Sequence, residues 1–195
     1  PSLGDDDRID AGAGDNVVLG GAGADRIAAG AGRDVLLGDL GEVAYDADGL
    51  LQRVLSTDTG LGGDDVIAAG EGDNLVVGGF GADTVTAGGG TDLVLGDNGS
   101  VAYLAGVIAE VTSDPIGGAS DRIITGAGAD IVVGGLGGDV IDAGKADTDA
   151  DVVLGDDAHL TFDGQGRLVR AESLDPTLGG DDQIEVGSGD NVVIG

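Results

Sequence analysis

No cysteine, methionine or tryptophan occurs among the 195 residues, and the aromatic side chains amount to two tyrosines and two phenylalanines. The first absence removes disulfides, thiolate metal sites and cysteine nucleophiles, while leaving the compartment open. The scarcity of aromatic rings removes the usual bulk of a globular core. Cations are scarce as well: eight Lys and Arg stand against 37 Asp and Glu, for a net charge of −29. Such a surface repels nucleic acid. His159 is the single histidine and no Gly-x-Ser-x-Gly elbow is present. The acids repeat in like surroundings, whereas acid–base catalysis needs carboxylates in unlike ones. A catalytic site is therefore not expected. The longest uncharged run, NGSVAYLAGVIA, is too short to span a bilayer.

What the chain has in abundance is glycine, 42 residues, and an acid or amide on a nine-residue comb. The comb runs through Asp7, Asn16, Asp25 and Asp34, then Asp65, Asn74, Asp83 and Asp92, then Asp121, Asp130, Asp139 and Asp151, and ends with Asp182 and Asn191. Each stands two positions before an aliphatic residue, and most follow a Gly-x-Gly turn; the inserted KADTDAD delays Asp151 by three residues. A fixed short period of this kind marks a solenoid, whose units bury their apolar residue only by stacking on one another. Each nonapeptide reads as a tight turn followed by a three-residue strand such as VVL, RIA or VLL. The fold class expected is all-β, a parallel β-solenoid. Glycine turns followed by strands and surrounded by acids are unsuited to binding phosphate.

The charge then becomes the central physical problem. Stacked turns place like carboxylates about 5 Å apart, which is strongly unfavourable unless a cation lies between them. With no cysteine and one histidine the ligands on offer are oxygens, which suit hard ions. Carboxylates mixed with carbonyls from flexible turns suit the loose coordination of Ca2+ better than the rigid octahedron of Mg2+. A solvated acidic surface would have no reason to keep a nine-residue phase. All fourteen comb positions are accordingly candidate metal ligands.

The strings GGAGADRIA (20–28), GGFGADTVT (78–86) and GGLGGDVID (134–142) are similar to the glycine-rich nonapeptide GGxGxDxUx of the RTX (repeats-in-toxin) family. The resemblance implies a right-handed parallel β-roll with two nonapeptides per turn. Calcium would lie between loops eighteen residues apart, held by the sixth-position carboxylate and by turn carbonyls. It implies the stacked pairs Asp7/Asp25, Asn16/Asp34, Asp65/Asp83, Asn74/Asp92, Asp121/Asp139 and Asp130/Asp151, with Asp182 and Asn191 awaiting partners beyond Gly195. At Asn16, Asn74 and Asn191 the family's common Asn-Asp order is inverted to Asp-Asn, so a neutral amide stands in ligand phase and weaker sites are expected. The resemblance also implies a bacterial protein exported by type I secretion, hence an extracellular or cell-surface location.

A longer period groups the nonapeptides. PSLGDDDRI, TGLGGDDVI, PIGGASDRI and PTLGGDDQI open modules 1–58, 59–114, 115–175 and a partial 176–195, read as one continuous solenoid. Each full module ends in a divergent arm with two alternating strands around a glycine turn, as in EVAY-DADG-LLQRV. The arms are read as two extra half-turns that widen the solenoid in preference to projecting hairpins, giving about ten turns and a rod of about 48 Å. On that reading Asp39, Asp97 and Asp156 become secondary ligand candidates, as do Asp58, Asp114 and Asp175, although an aspartate in a turn often only caps backbone. Tyr45, Tyr103 and Phe162 share one arm position and are expected to pack inside the wider turns.

Pro1 occupies the place of the module prolines, and neither end carries a capping element. A segment of a longer array, or a unit that self-associates end to end, is the expectation. The function expected is a calcium-dependent, non-enzymatic structural solenoid of a large extracellular bacterial protein: a fibre, surface-layer or adhesin stalk segment. The alternative is the calcium-binding folding and secretion module of an RTX enzyme or toxin. Ice binding by an ordered face would want threonine between the turn glycines, where Ala13, Ala22, Glu71 and Phe80 stand instead.

Overall fold

A computed structural model describes residues 4–174 and 177–195. Its twenty strands form three sheets, and among the described residues there is no helix. The outer sheet is parallel and stacks β1 (Arg8–Gly12), β3 (Arg26–Ala29), β7 (Val66–Gly70), β9 (Thr84–Ala87), β13 (Arg122–Ile124), β15 (Val140–Ala143) and β19 (Gln183–Val186). The middle sheet, also parallel, stacks β2 (Val17–Leu19), β4 (Val35–Leu37), β8 (Leu75–Gly79), β10 (Leu93–Asp97), β14 (Ile131–Val133), β16 (Val152–Leu154) and β20 (Val192–Ile194). Successive nonapeptides alternate between these two sheets, so two of them make one rung of the expected parallel β-roll.

The arms depart from expectation. They are antiparallel hairpins: β5 (Gly41–Tyr45) with β6 (Leu51–Ser56), β11 (Gly99–Leu104) with β12 (Val107–Ser113), and β17 (Ala158–Phe162) with β18 (Leu168–Ser173). The hairpins also pair with one another into a six-stranded third sheet. Ala105 and Gly106 both have positive φ, 53° and 78°, which gives the two-residue turn that matches strand twist. Seven rungs result instead of ten turns, so the ladder is about 30 Å long at 4.8 Å per rung.

The reason lies in the middle sheet. Outer-sheet strands such as RIDA and TVTA alternate inward apolar with outward polar residues, whereas VVL, VLL, LVV and IVV are apolar on both faces. Ile27, Ile67, Val85, Ile123 and Ile141 of the outer sheet meet Leu36, Val76, Val94, Val132 and Val153 inside the roll. The other face of the middle sheet, including Leu37, Leu75, Val77, Leu93, Leu95 and Leu154, needs a cover. Val54, Val101, Val111 and Leu160 of the hairpins supply it. Tyr103 and Phe162 pack against this second core, outside the roll, while Tyr45 is half exposed. His159 joins neighbouring hairpins, with Nε2 2.7 Å from Glu110 and Nδ1 3.7 Å from Glu172.

Candidate metal centre

Excising each arm as a hairpin returns the chain to the rung next to the one it left. The comb residues therefore form two unbroken columns, one on each edge of the roll. Along the first, a backbone N–H donates to the Oδ1 of the next rung six times: Asp7 to Asp25 (2.7 Å), Asp25 to Asp65 (2.6 Å), Asp65 to Asp83 (2.7 Å), Asp83 to Asp121 (2.7 Å), Asp121 to Asp139 (2.8 Å) and Asp139 to Asp182 (2.9 Å). The second column is built the same way through Asn16, Asp34, Asn74, Asp92, Asp130, Asp151 and Asn191, at 2.8 to 3.1 Å. The six expected pairs are all stacked. Six further pairs cross the module seams, and in two of them Asp182 and Asn191 accept the ladder N–H groups of Asp139 and Asp151. The insertion does not break the Asp130/Asp151 pair, which stands at 3.1 Å.

From the second rung on, one oxygen of each column aspartate is thus used in the ladder, and in nine of them the other is buried and bare. The Oδ2 atoms of Asp25, Asp34, Asp65, Asp83, Asp92, Asp121, Asp130, Asp139 and Asp151 are buried without a hydrogen-bond partner. A buried anionic oxygen in that state costs several kcal/mol unless a proton or a cation meets it. On the first edge a column of glycines walls these oxygens. A methyl added at Gly20, Gly38, Gly78, Gly96, Gly134 or Gly155 would lie 2.0 to 2.4 Å from the Oδ2 of Asp25, Asp65, Asp83, Asp121, Asp139 or Asp182. For the first five, the same methyl would lie 2.0 to 2.5 Å from the carbonyl oxygen of the glycine one rung on. Carboxylate and carbonyl oxygens therefore share one niche, the donor set that Ca2+ accepts. Among the described residues no three acidic or histidine side chains form a cage by themselves, so an ion here takes its remaining ligands from carbonyls or solvent. The residues fit such an ion.

Burial also shifts the carboxyls upward. Desolvation, strengthened by neighbouring aspartates and opposed by the ladder N–H groups, pushes Asp65 and Asp139 to about 7, Asp83 to about 9 and Asp121 to about 10. On the second edge Asp92 and Asp130 rise only to about 6 by the same desolvation. The all-aspartate edge carries the greater stress.

The second edge has its own device. Asn16 Nδ2 donates to the carbonyls of Gly12 (3.1 Å) and Gly14 (2.6 Å), Asn74 Nδ2 to those of Gly72 (2.8 Å) and Gly70 (3.5 Å), and Asn191 Nδ2 to that of Gly187 (3.0 Å). Asn74 and Asn191 meanwhile present Oδ1 to the ladder N–H groups of Asp34 and Asp151, which fixes the amide orientation. The atom that is a bare oxygen in the aspartate rungs is here a donor, satisfied by its own turn.

The secondary candidates divide. Asp39 accepts N–H groups from Gly63 (3.2 Å) and Phe80 (2.5 Å), and Asp97 from Ala119 (3.1 Å) and Leu136 (2.5 Å); Asp156 accepts from Gly180 (3.1 Å). These aspartates tie each module to the next. Desolvation raises Asp39 to about 7 and Asp97 to about 8, and both in turn push Asp83 of the first edge upward. Asp58 is exposed and Asp114 half-buried where the hairpin returns, and the carbonyl of each accepts a turn N–H, from Leu61 and Ile116. Pro1 and Asp175 lie outside the described residues.

A solenoid with two columns of carboxylate and carbonyl oxygens along its edges defines a class of cation-binding repeat protein. Comparison with family models finds the RTX calcium-binding nonapeptide repeat in four copies, over residues 3–41, 59–94, 116–149 and 177–195. These cover well over half of the sequence, and the chain belongs to that family: its repeats bind multiple Ca2+ ions. The unmatched gaps hold the hairpins. Comparisons with curated proteins and with solved structures each returned no match.

Proposed function

We propose that Ca2+ ions occupy the niches between successive rungs and that the chain is a calcium-dependent structural segment of a larger secreted bacterial protein. The ligands in this reading are Asp7, Asp25, Asp65, Asp83, Asp121, Asp139 and Asp182 on one edge, with Asp34, Asp92, Asp130 and Asp151 on the other. Asn16, Asn74 and Asn191 sit in the same columns and lend at most a carbonyl oxygen, their amide protons already filling the niche. The observation that carries the reading is the row of nine buried carboxylate oxygens with nothing to bind.

When bound, the ions supply charge neutralisation and a link between rungs. The protein supplies register: each ladder N–H holds Oδ1, which aims Oδ2 at the glycine wall. RTX repeats occur in secreted bacterial proteins, and free calcium outside a cell is high enough to fill weak sites that a cytosol would leave empty. Because the columns run through the module seams, further modules lengthen the rod without changing its construction. A rigid, non-catalytic stalk or fibre segment, able to join others end to end, follows from that.

A crystal structure grown in calcium tests the reading. Ion density is expected beside the Oδ2 atoms of the first edge at every rung interval, and absence of ions along that edge would overturn it.

A further inference from the structure

The hairpins do more than cover the middle sheet. Their tips meet the second edge of the roll and leave a cleft of about 510 Å3 between them, within the size range of small-molecule sites. Its floor is apolar, built from the buried Val35, Leu75 and Leu93 of the middle sheet. Tyr45 and Leu51 of the first hairpin, and Tyr103 and Ile108 of the second, form one wall, each tyrosine lying across its own hairpin from the aliphatic residue. The tyrosines hold the same place in successive hairpins, two strands and so about 10 Å apart.

On the roll side stand Asp15, Arg33, Asp73 and Thr91, each one position before a comb residue and each exposed. Neighbouring rungs fix the two acids: the N–H of Arg33 donates to Asp15 Oδ1 (2.8 Å) and that of Thr91 to Asp73 Oδ1 (2.9 Å). Among the described residues the Arg33 guanidinium and both tyrosine hydroxyls have neither a hydrogen bond nor an ion pair. Stacking does not require this polar rim. In the third module the Asp130 and Asp151 rungs close on each other with Ala129 and Ala150 in front of them, and Phe162 takes the place of the tyrosine.

The lining selects among ligands. Asp15, Asp34 and Asp73 against one arginine repel an anion. A wholly apolar molecule would leave the polar rim buried and unpaired, and a cation would bring its charge against Arg33. A neutral sugar meets every group. Its hydroxyls donate to carboxylates and accept from the guanidinium and the phenols, while the C–H face of a pyranose lies on the negative face of a tyrosine ring.

We propose that this cleft binds a neutral saccharide, with Tyr45 and Tyr103 as stacking platforms and Asp15, Arg33 and Asp73 as the groups that hold its hydroxyls. The site goes beyond the calcium reading and stands on the hairpins, whatever occupies the columns.

Binding of the full chain in saturating calcium to an array of neutral glycans built from glucose, galactose, mannose and N-acetylhexosamines tests it, with tri-lysine and polyglucuronate as the charged probes. The variants are Arg33→Ala and Asp73→Ala, which copy the third module, Tyr45→Ala, and as a control Arg53→Ala, whose side chain pairs with Glu42 away from the cleft. The expected result is a neutral glycan bound by the natural chain, its affinity falling about tenfold or more in each cleft variant and unchanged in the control. No neutral glycan bound, a charged probe bound in its place, or glycan binding untouched by the cleft variants overturns the proposal. Circular dichroism in calcium reports the fold of each variant, and Arg33→Ala with Asp73→Ala decides if Tyr45→Ala does not fold.

Discussion

The backbone N–H of Asp25 donates to the Oδ1 of Asp65 at 2.6 Å, although 40 residues and a complete hairpin separate them. A contact so remote in sequence is of the same kind as that between Asp7 and Asp25, eighteen residues apart. The roll treats the arm as an excursion and resumes its stacking. Continuity of the carboxylate columns, and hence of their charge problem, follows from that one arrangement.

In chelator, acid should stabilise the fold. Burial raises the folded-state values of Asp65, Asp83, Asp121 and Asp139 to about 7, 9, 10 and 7, from an unfolded value of about 3.9. The folded chain therefore holds protons that the unfolded chain releases. The stability these groups contribute is fully present below about pH 4 and is lost progressively as pH rises from about 4 through the folded values of about 7 to 10. Far-ultraviolet circular dichroism without calcium should show β-structure at pH 4 and its loss by pH 8. The opposite order would contradict the burial of these carboxyls.

Asn74→Asp should convert a self-satisfied rung into one that needs an ion. Its Nδ2 donates to Gly72 and to Asp92 Oδ1 (3.0 Å), and the variant puts a bare anionic oxygen in that place. Elemental analysis of dialysed protein should find additional bound calcium, and more calcium should be needed to fold the calcium-free chain at neutral pH. Unchanged stoichiometry and midpoint would show that the amide does not stand in for a cation.

Gly78→Val should impair calcium-induced folding. The added Cβ would lie 2.4 Å from Asp83 Oδ2 and 2.0 Å from the Gly96 carbonyl, in the niche itself. Gly60→Ala meets nothing within 4 Å and should leave the calcium midpoint unmoved. A midpoint shift of about tenfold or more for the first variant and none for the second is expected; equal behaviour would place the ions elsewhere.

Leu160→Ala should weaken the fold without touching the ions. The side chain is fully buried between the hairpin and middle sheets, and its loss should cost about 2–5 kcal/mol. Denaturant unfolding in saturating calcium measures this, with calcium stoichiometry as the control. A negligible cost would mean that the hairpin sheet is not part of the cooperative unit.

The roll and both columns were legible because a nine-residue phase can be read directly: Asp25 and Ile27, or Asp83 and Val85, repeat the spacing of their neighbours. The hairpin sheet was also written in the sequence, in strands such as Val35–Leu37 and Leu93–Leu95 that are apolar on both faces. Reading the arms as half-turns left the outward-facing Leu37 and Leu95 without a cover, and that omission was the available signal. Two features were not legible. The orientation of the Asn16 and Asn74 amides depends on ladder N–H groups that exist only after stacking. Asp147, in KADTDAD, looks like an interruption of the phase until folding brings its carboxylate to the N–H of Gly128.

The most direct test of calcium as the folding agent is far-ultraviolet circular dichroism at pH 7.5, first in excess EGTA and then through a calcium titration. A spectrum without β-structure in chelator, converting cooperatively to a β-sheet spectrum as calcium is added, is the predicted result. A full β-sheet signal in EGTA, unchanged by added calcium, would contradict it.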